Sequence, residues 1–274
     1  MPILSFEAEN LCELLSKTDE IRGLLKDADL WFRGEGSVYE GLLPSAFRQT
    51  RAPRNMEQMR HDEWQMSFLF QKLAPAYIPN PPVSADHASW LMLMQHHGLP
   101  TRLLDWTDSI LAAAYFAVGA DSPDKCTDPA VLWVLAPGKL NCYSTYFANV
   151  IPGIDHKHVK PLISAAFARP SSKPAGRTNL ALAVYPLRSH PRMSAQRSMF
   201  TVHKTWDPLE KHGCAKTFLA KVKIPRRHCL AVRHQIEDAG IRWSTLFPDL
   251  DHLAKEIRSD RRFARRPVES NTAR

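Results

Sequence analysis

Residues 91–116, LMLMQHHGLPTRLLDWTDSILAAAYF, decide how the chain is organised. The stretch indicates an apolar helix, a dense run of polar side chains and a second apolar helix. Gly98 can adopt the left-handed conformation that ends a helix, and Pro100 prevents the first helix from resuming. The second helix, ILAAAYFAV, has almost no polar face, so we expect it to be buried.

Polar and aromatic side chains crowd the segment between these two predicted helices. They are Gln95, His96, His97, Thr101, Arg102, Asp105 and Trp106. These are too many hydrogen-bonding groups to bury without partners, so they either satisfy one another or face a ligand. Of the two histidines, His97 is the better candidate for a ligand, because it is adjacent to Gly98, where the backbone is open. His96 can instead cap carbonyl groups at the end of the helix.

A second candidate group lies upstream, in DLWFRG at residues 29–34, which we predict to be a short buried strand that ends in Arg33. A guanidinium that follows two bulky aromatic residues must be paired or must bind an anion. One interpretation is a structural ion pair with an acid such as Asp105. The other is a clamp for a phosphate or carboxylate, with Gly34 allowing the backbone to approach the ligand closely.

Composition sets broad limits on the class of protein. Of the 274 residues, 44% are hydrophobic and 23% are charged, as in ordinary soluble proteins. No apolar run approaches the about 20 residues of a membrane span, so we expect a cytoplasmic protein with no membrane partner. The five cysteines are odd in number and lack C-x-x-C spacing, which predicts neither a zinc site nor a disulfide framework. Half of the net charge of +8 lies in residues 258–274, predicted to be a disordered basic tail.

The hydrophobic patterns predict an α+β fold: a single mixed domain with several helices packed around a small central sheet of short strands. We place the domain at residues 1–257, with its core at 30–257 and an amphipathic helix at 5–18. Further strands are predicted at 130–136, 180–185, 199–203 and 217–224. No G-x-G-x-x-G or G-x-x-x-x-G-K-S/T motif is present, which disfavours Rossmann and P-loop nucleotide binding.

Several of these motifs also resemble a known family. HHGLPTRLLDWT at residues 96–107, followed by AAYFA and preceded by WFRGEG at 31–36, resembles the FRG domain, a bacterial and phage family named for its Phe-Arg-Gly motif. Blocks at 194–203 and 240–254 resemble the family's downstream segments, so the similarity covers roughly residues 30–257. The resemblance implies an association with phage defence and toxin-like genes, and kinship with ADP-ribosyltransferases.

The sharpest hypothesis is therefore use of NAD as a substrate, by ADP-ribosyl transfer or by hydrolysis, with no metal. Cleavage of the bond from ribose to nicotinamide builds positive charge on the sugar, as in glycoside hydrolysis. Arg33 suits a pyrophosphate clamp, and a ribose or amide could be held by His97, Gly98 and Thr101. Aromatic faces are offered by Trp106 and Tyr115. The carboxylate is not decided by spacing: the candidates are Glu35, Asp105, Asp249 and Glu237.

Each of these residues also has a structural interpretation. Asp105 can form a salt bridge with Arg102 or Arg33. Trp106 and Tyr115 can be core residues. Gln196, which we place near the site, can simply satisfy a sheet edge.

Two other classes of function stay open. One is a non-catalytic module that binds a nucleotide or nucleic acid through Arg33, Arg102 and Arg192. The other is a metal-dependent nuclease that uses His96 and His97, which is disfavoured because adjacent histidines on a helix point in different directions. The expected partners are a nucleotide ligand and a protein or nucleic-acid acceptor.

Overall fold

The structure, a computed structural model, describes residues 3–26, 29–36, 41–48, 55–119, 129–144, 150–170, 181–187, 191–205 and 207–259. Over these ranges the helices are α1 (Leu11–Leu25), α2 (Met56–Leu73), α3 (His87–His96), α4 (Ile110–Ala117), α5 (Pro137–Tyr143), α6 (Lys160–Ser164), α7 (Pro191–Ala195), α8 (Arg226–Asp238), α9 (Trp243–Leu246) and α10 (Leu250–Ser259). The strands are β1 (Leu4–Glu7), β2 (Trp31–Glu35), β3 (Leu103–Thr107), β4 (Ala130–Leu135), β5 (Ala181–Val184), β6 (Ser198–His203) and β7 (Leu219–Ile224). The predicted α+β class is confirmed.

These strands form one mixed sheet in the order β1-β7-β4-β2-β3-β6-β5. β1 runs parallel to β7, and the other neighbours are antiparallel. β2 and β3 pair near the middle of the sheet, where Phe32 lies opposite Thr107. This pairing brings the segment that contains Arg33 next to the segment that contains Asp105.

Helices pack on both faces of the sheet. In β3 and β6, neighbouring residues alternate between two hydrophobic clusters, as expected when successive side chains point to opposite faces. Trp106 and Met199 join the larger cluster, which includes residues of α1, α4 and α8. Leu103 and Phe200 join the smaller cluster, which includes residues of α3 and α6. The chain thus builds its core as two apolar layers around one sheet.

The packing of α4 on β2 depends on Gly34. A Cβ at this position would lie 1.9 Å from the carbonyl oxygen of Ala113 and 2.5 Å from the amide nitrogen of Ala117. The sequence predicted that Gly34 allows a close approach to a ligand, whereas the group that approaches it in the structure is the α4 backbone. The burial predicted for α4 is present, since Ala113, Ala114 and Ala117 are all fully buried.

The N-terminal prediction was partly wrong. Residues 4–7 form a strand rather than the start of a helix, and they alternate between half-buried and exposed positions along the sheet edge. The helix begins at Leu11, where the side chain of Asn10 accepts a hydrogen bond from the Glu13 amide at 2.9 Å. Asn10 is a strong helix N-cap, so it separates the strand from the helix.

Strand β3 was also missed, because the run between the two apolar helices was interpreted as a polar connection. Every residue of β3 is paired with β6, from Leu103 opposite Val202 to Thr107 opposite Ser198. The backbone groups that β3 directs toward β6 are therefore satisfied by the sheet.

Two further predictions from the sequence concern a membrane span and the C-terminal tail. In the ranges given above, no helix combines the length and the apolar character needed to cross a membrane. Helix α10 ends at Ser259, so most of the predicted basic tail, residues 260–274, lies outside the described residues.

We predict that Gly34→Ala lowers the free energy of unfolding by about 3 kcal/mol or more, because the new methyl group meets backbone atoms that cannot move independently. The matched control is Gly23→Ala in α1, where no atom lies within 4 Å of the added Cβ. That change should stabilise the protein by about 0.4–1 kcal/mol. Chemical denaturation measures both, and equal stability of the two variants would contradict the role given to Gly34.

Candidate functional site

Arg33 and Asp105 meet where β2 and β3 are paired. The Arg33 side chain is only 14% exposed, and its Nη1 donates a hydrogen bond of 2.9 Å to the backbone oxygen of Asp105. The same Nη1 lies 4.0 Å from the Asp105 carboxylate, and Nε lies 3.4 Å from the carboxylate of Glu35. Arg33 is thus held between two acids.

A chain of hydrogen bonds extends from this pair in both directions. On one side, the indole nitrogen of Trp133 donates to Glu35 at 2.8 Å. On the other, Gln95 donates to the Asp105 carboxylate at 2.8 Å, and its side-chain oxygen accepts from the Thr101 hydroxyl. Gln95, Thr101 and Asp105 therefore satisfy one another, and Arg33 joins them through Asp105.

The end of α3 presents the remaining polar groups to solvent. Gly98 has φ of 76°, the left-handed conformation predicted for it. His97 is exposed, and its ring lies edge-on to that of His96 with 4.9 Å between centroids. His97 follows Gln95 by two residues, so it lies at the margin of the network rather than within it.

The four candidate carboxylates differ in their exposure and in the side chains that they contact. The Glu35 side chain is 10% exposed, and its carboxylate accepts hydrogen bonds from Arg33 and Trp133. The Glu237 carboxylate forms an ion pair with Arg233 at 2.8 Å. Asp249 binds His252 at 2.7 Å. Asp105 is 56% exposed and lies beside Arg33. Of these four, Asp105 alone combines an open carboxylate with a neighbouring guanidinium of the predicted site.

Arg102 points into the protein. Its guanidinium forms a two-pronged ion pair with Glu63 of α2, in which Nε donates at 2.8 Å, and it also donates to the Leu162 carbonyl at 2.8 Å. The two side chains are 5% and 1% exposed. The acid that pairs with Arg102 is thus Glu63, rather than the Asp105 considered from the sequence. The missed signal was the position of Glu63 four residues after Met59, on the buried face of α2.

Trp106 and Tyr115 are core residues, 3% and 1% exposed. The Trp106 indole donates to the hydroxyl of Thr201 at 3.0 Å, and the Tyr115 hydroxyl accepts from Arg233 at 3.1 Å. Burial raises the pKa of Tyr115 to about 12. Their rings belong to the packed interior.

Arg192 of α7 is the third arginine considered from the sequence. Its guanidinium carbon lies 4.4 Å from the centroid of the Phe247 ring, and Phe247 stacks on His252 with 4.5 Å between centroids. Burial lowers the pKa of Arg192, while the charges of Asp105 and Asp249 raise it. Gln196, from the same segment, donates to the Leu246 carbonyl at 3.2 Å.

His203 is fully buried at the end of β6. Its Nε2 is 3.0 Å from the Thr201 hydroxyl, and among the described residues its Nδ1 has no hydrogen-bond partner. Burial, with smaller effects from the charges of His212 and Arg33, lowers its pKa to about 3. Among all the residues that the structure describes, no group of three or more His, Cys, Asp or Glu side chains is placed to hold a metal ion.

We predict that the pair of Glu63 and Arg102 is structural. Glu63→Gln should lower the free energy of unfolding by about 3–5 kcal/mol, because it leaves a buried guanidinium without a counter-charge. The control is Glu20→Gln, which breaks an exposed pair with Lys17 and should cost less than about 0.5 kcal/mol. The double variant Glu63→Met with Arg102→Met should recover most of the loss. If it is as unstable as Glu63→Gln, an unpaired charge is not the cause.

We also predict that His203 makes stability depend on pH. Its folded pKa of about 3 lies below the ordinary 6.5, so only the unfolded chain binds the proton between these values. Above pH 6.5 the ring is neutral in both the folded and the unfolded chain, so this contribution to stability is fully present. Between pH 6.5 and pH 3 the free energy of unfolding falls by up to about 1.4 kcal/mol for each pH unit of acidification. Denaturation curves of His203→Gln should show a flatter dependence than those of the exposed control His61→Gln. Parallel curves for the two variants would contradict this assignment.

Comparison with known proteins gives one match. Residues 28–126, which include β2, β3, α3 and α4, match the model of the FRG domain. Neither the curated proteins nor the solved structures compared with the chain give a match. The resemblance of residues 194–203 and 240–254 to the same family stays a prediction. Arg33, Gln95 and Asp105 all lie inside the matched segment, and the chain carries an FRG domain over residues 28–126.

Proposed function

We propose that this FRG-domain protein binds NAD at the cluster of Arg33 and Asp105 and breaks its bond between ribose and nicotinamide. The reaction would be that of an ADP-ribosyltransferase or a NAD glycohydrolase. The observation that carries the proposal is a solvent-facing carboxylate in the middle of a central strand, fixed by a guanidinium on one side and an amide on the other. Asp105 is the carboxylate, and Arg33 and Gln95 are its two partners.

The chemistry needs a negative charge close to the ribose as its bond to nicotinamide breaks. An oxocarbenium-like sugar is stabilised by a carboxylate, as it is in glycosidases. Asp105 suits this role because Gln95 orients one of its oxygens, while the side chain remains open to a ligand. A carboxylate that is already in place does not have to reorganise during the reaction, and this is the usual source of electrostatic catalysis.

The phosphates of NAD need a cation whose position is fixed. Among the described residues, the contacts of Arg33 with Asp105 and Glu35 use Nη1 and Nε, so Nη2 remains to bind a phosphate. Arginine is suited to phosphate because its planar N–H groups match two oxygens at once. Glu35 is itself held by Trp133, which fixes the orientation of Arg33. His97 and Gly98, exposed at the end of α3, would bind the nicotinamide amide or the ribose.

In a cell, an enzyme of this kind would consume NAD or modify a protein or nucleic acid, in keeping with the toxin and phage-defence associations of the family. A non-catalytic nucleotide-binding module could use the same cluster. The cluster of Arg33 and Asp105 is compatible with both functions, so turnover decides between them.

We predict that the wild-type protein depletes NAD or transfers ADP-ribose, and that Asp105→Asn slows the reaction by about 10²–10³-fold while retaining NAD binding. The matched control is Asp19→Asn, a carboxylate that is 84% exposed on α1 and distant in sequence from the cluster. Release of nicotinamide measures the rate, and calorimetry measures binding. Arg33→Ala should weaken binding, and Arg33→Lys should restore it in part.

Three possible results lead to different conclusions about the proposed reaction. A wild-type protein that neither binds nor consumes NAD contradicts the proposal. Binding without turnover supports the non-catalytic module. Equal rates for Asp105→Asn and Asp19→Asn would remove Asp105 from the reaction. Melting curves of each variant show whether the fold is retained.

A further inference from the structure

Helix α2 packs against the domain with a side that is partly polar. Its buried residues are Met59, Glu63 and Ser67, which follow one another at intervals of four along the helix. The buried ion pair of Glu63 with Arg102 holds this side inward. In an ordinary amphipathic surface helix the large apolar and aromatic residues would occupy the buried side. In α2 several of them face solvent instead, so this exposed side has to be explained by something other than the fold.

Three aromatic rings lie on consecutive turns of the exposed side of α2. They belong to His61, Trp64 and Phe68, whose spacing of three and four residues places them on one side of the helix. The ring centroids are 5.5 Å apart for His61 and Trp64 and 6.1 Å apart for Trp64 and Phe68. His61 is exposed, Trp64 is half-buried and Phe68 is 47% exposed. The rings therefore form a continuous line at the surface, which we call the α2 aromatic row.

Two exposed cations border the α2 aromatic row. The ammonium of Lys72, one turn after Phe68, lies 5.7 Å from the centroid of the Phe68 ring. The guanidinium carbon of Arg169, in the segment after α6, lies 6.0 Å from the centroid of the Trp64 ring. Both distances are those of a cation attracted to the face of an aromatic ring. Rings and positive charges therefore lie side by side on one strip of the surface.

This combination is suited to a single-stranded nucleic acid. The bases of a single strand are accessible and can stack on aromatic side chains, whereas the bases of a duplex are stacked on one another. Positive side chains beside the rings can contact the phosphates that link the bases. The net charge of +8 on the whole chain favours the approach of the same kind of polyanion.

The cations also distinguish this ligand from a protein partner. Leu69 and Leu73, on the same half of α2, are 53% and 62% exposed, so an apolar docking face has to be considered. A protein that covered such a face would remove Lys72 and Arg169 from water, which is costly unless it also supplied acids to pair with them. A nucleic acid carries a phosphate for each base and satisfies both cations as it stacks on the rings.

We propose that the α2 aromatic row, together with Lys72 and Arg169, binds single-stranded nucleic acid. The rings stack on successive bases, and the two cations contact the phosphates between them. Stacking uses the face that every base has, so binding depends little on the base sequence. The site uses none of the residues of the cluster of Arg33 and Asp105, and it does not require NAD as a substrate.

The test measures fluorescence anisotropy of a labelled oligothymidylate, with a labelled duplex of equal length as the comparison. Wild-type protein should bind the single strand more tightly than the duplex. Trp64→Ala and Phe68→Ala should each weaken binding of the single strand by about 5–100-fold, the loss expected for one stacked base. Lys72→Gln should reduce the slope of log affinity against log salt concentration by about 0.7, because one phosphate contact is lost. The arginine-rich residues 258–274 are present in every variant, so they add the same affinity to all.

Two matched variants separate stacking on a ring from burial of apolar surface. Phe68→Leu keeps an apolar side chain but removes the ring, so it should weaken binding nearly as much as Phe68→Ala. Leu73→Ala removes an exposed apolar side chain one turn beyond Leu69, and it should leave the affinity unchanged. Melting curves check that every variant is folded.

Absence of binding to the single strand, equal affinity for the duplex, or unchanged affinity in Phe68→Leu would each overturn the proposal. A loss in Leu73→Ala as large as that in Phe68→Ala would also overturn it, since it would indicate an apolar face for a protein partner. Release of nicotinamide is measured without nucleic acid, so failure of the proposed reaction and failure of this site are recognised separately.

Discussion

The pairing of β2 with β3 is the constraint on which the proposed site depends. Arg33 reaches the backbone oxygen of Asp105 because Phe32 lies opposite Thr107 in the central pair of strands. Helix α4 follows β3 directly and returns across β2 at a distance that only glycine permits at position 34. The same short segment therefore sets the sheet, the helix behind it and the separation of the two charged groups. A shift in this register would bring a different part of β3 within reach of the Arg33 guanidinium.

Two arginines that look alike in the sequence are used differently because their exposure differs. Arg102 is enclosed with Glu63, and both charges are satisfied where water does not reach. Such a pair contributes little net stability, yet losing one partner is costly, so it fixes the position of α2 relative to β3. Arg33 instead touches two acids at longer distances, and one of them, Asp105, remains open to solvent. The first arrangement is complete by itself, whereas the second leaves groups that a ligand can use.

The elements that could be predicted from the sequence are those whose pattern is local. The buried helix α4 and the strands β4 and β7 follow from runs of apolar residues or from alternation, and Gly98 ends α3 as its conformational freedom indicates. The FRG resemblance pointed to Arg33 and Asp105, and the structure brings them together. Strand β3 could not be predicted because its polar residues interrupt the apolar pattern of a buried strand. It is stabilised by its pairing with β6, which the local sequence does not indicate. The partner of Arg102 was missed for a related reason: Glu63 lies 39 residues away, and only tertiary packing brings it close.

Asp105 itself shows why these departures from local rules point to function. It is the one exposed residue of β3, with buried residues on both sides in a strand near the middle of the sheet. Aspartate is among the residues that strands disfavour, and its charge must be partnered when it lies this close to the core. The chain supplies those partners from two elements: β2 through Arg33, and α3 through Gln95. A threonine or valine at this position would fit the strand without any of them. Retaining a carboxylate, and two groups to orient it, is the arrangement expected where a charge is needed for binding or catalysis rather than for the fold.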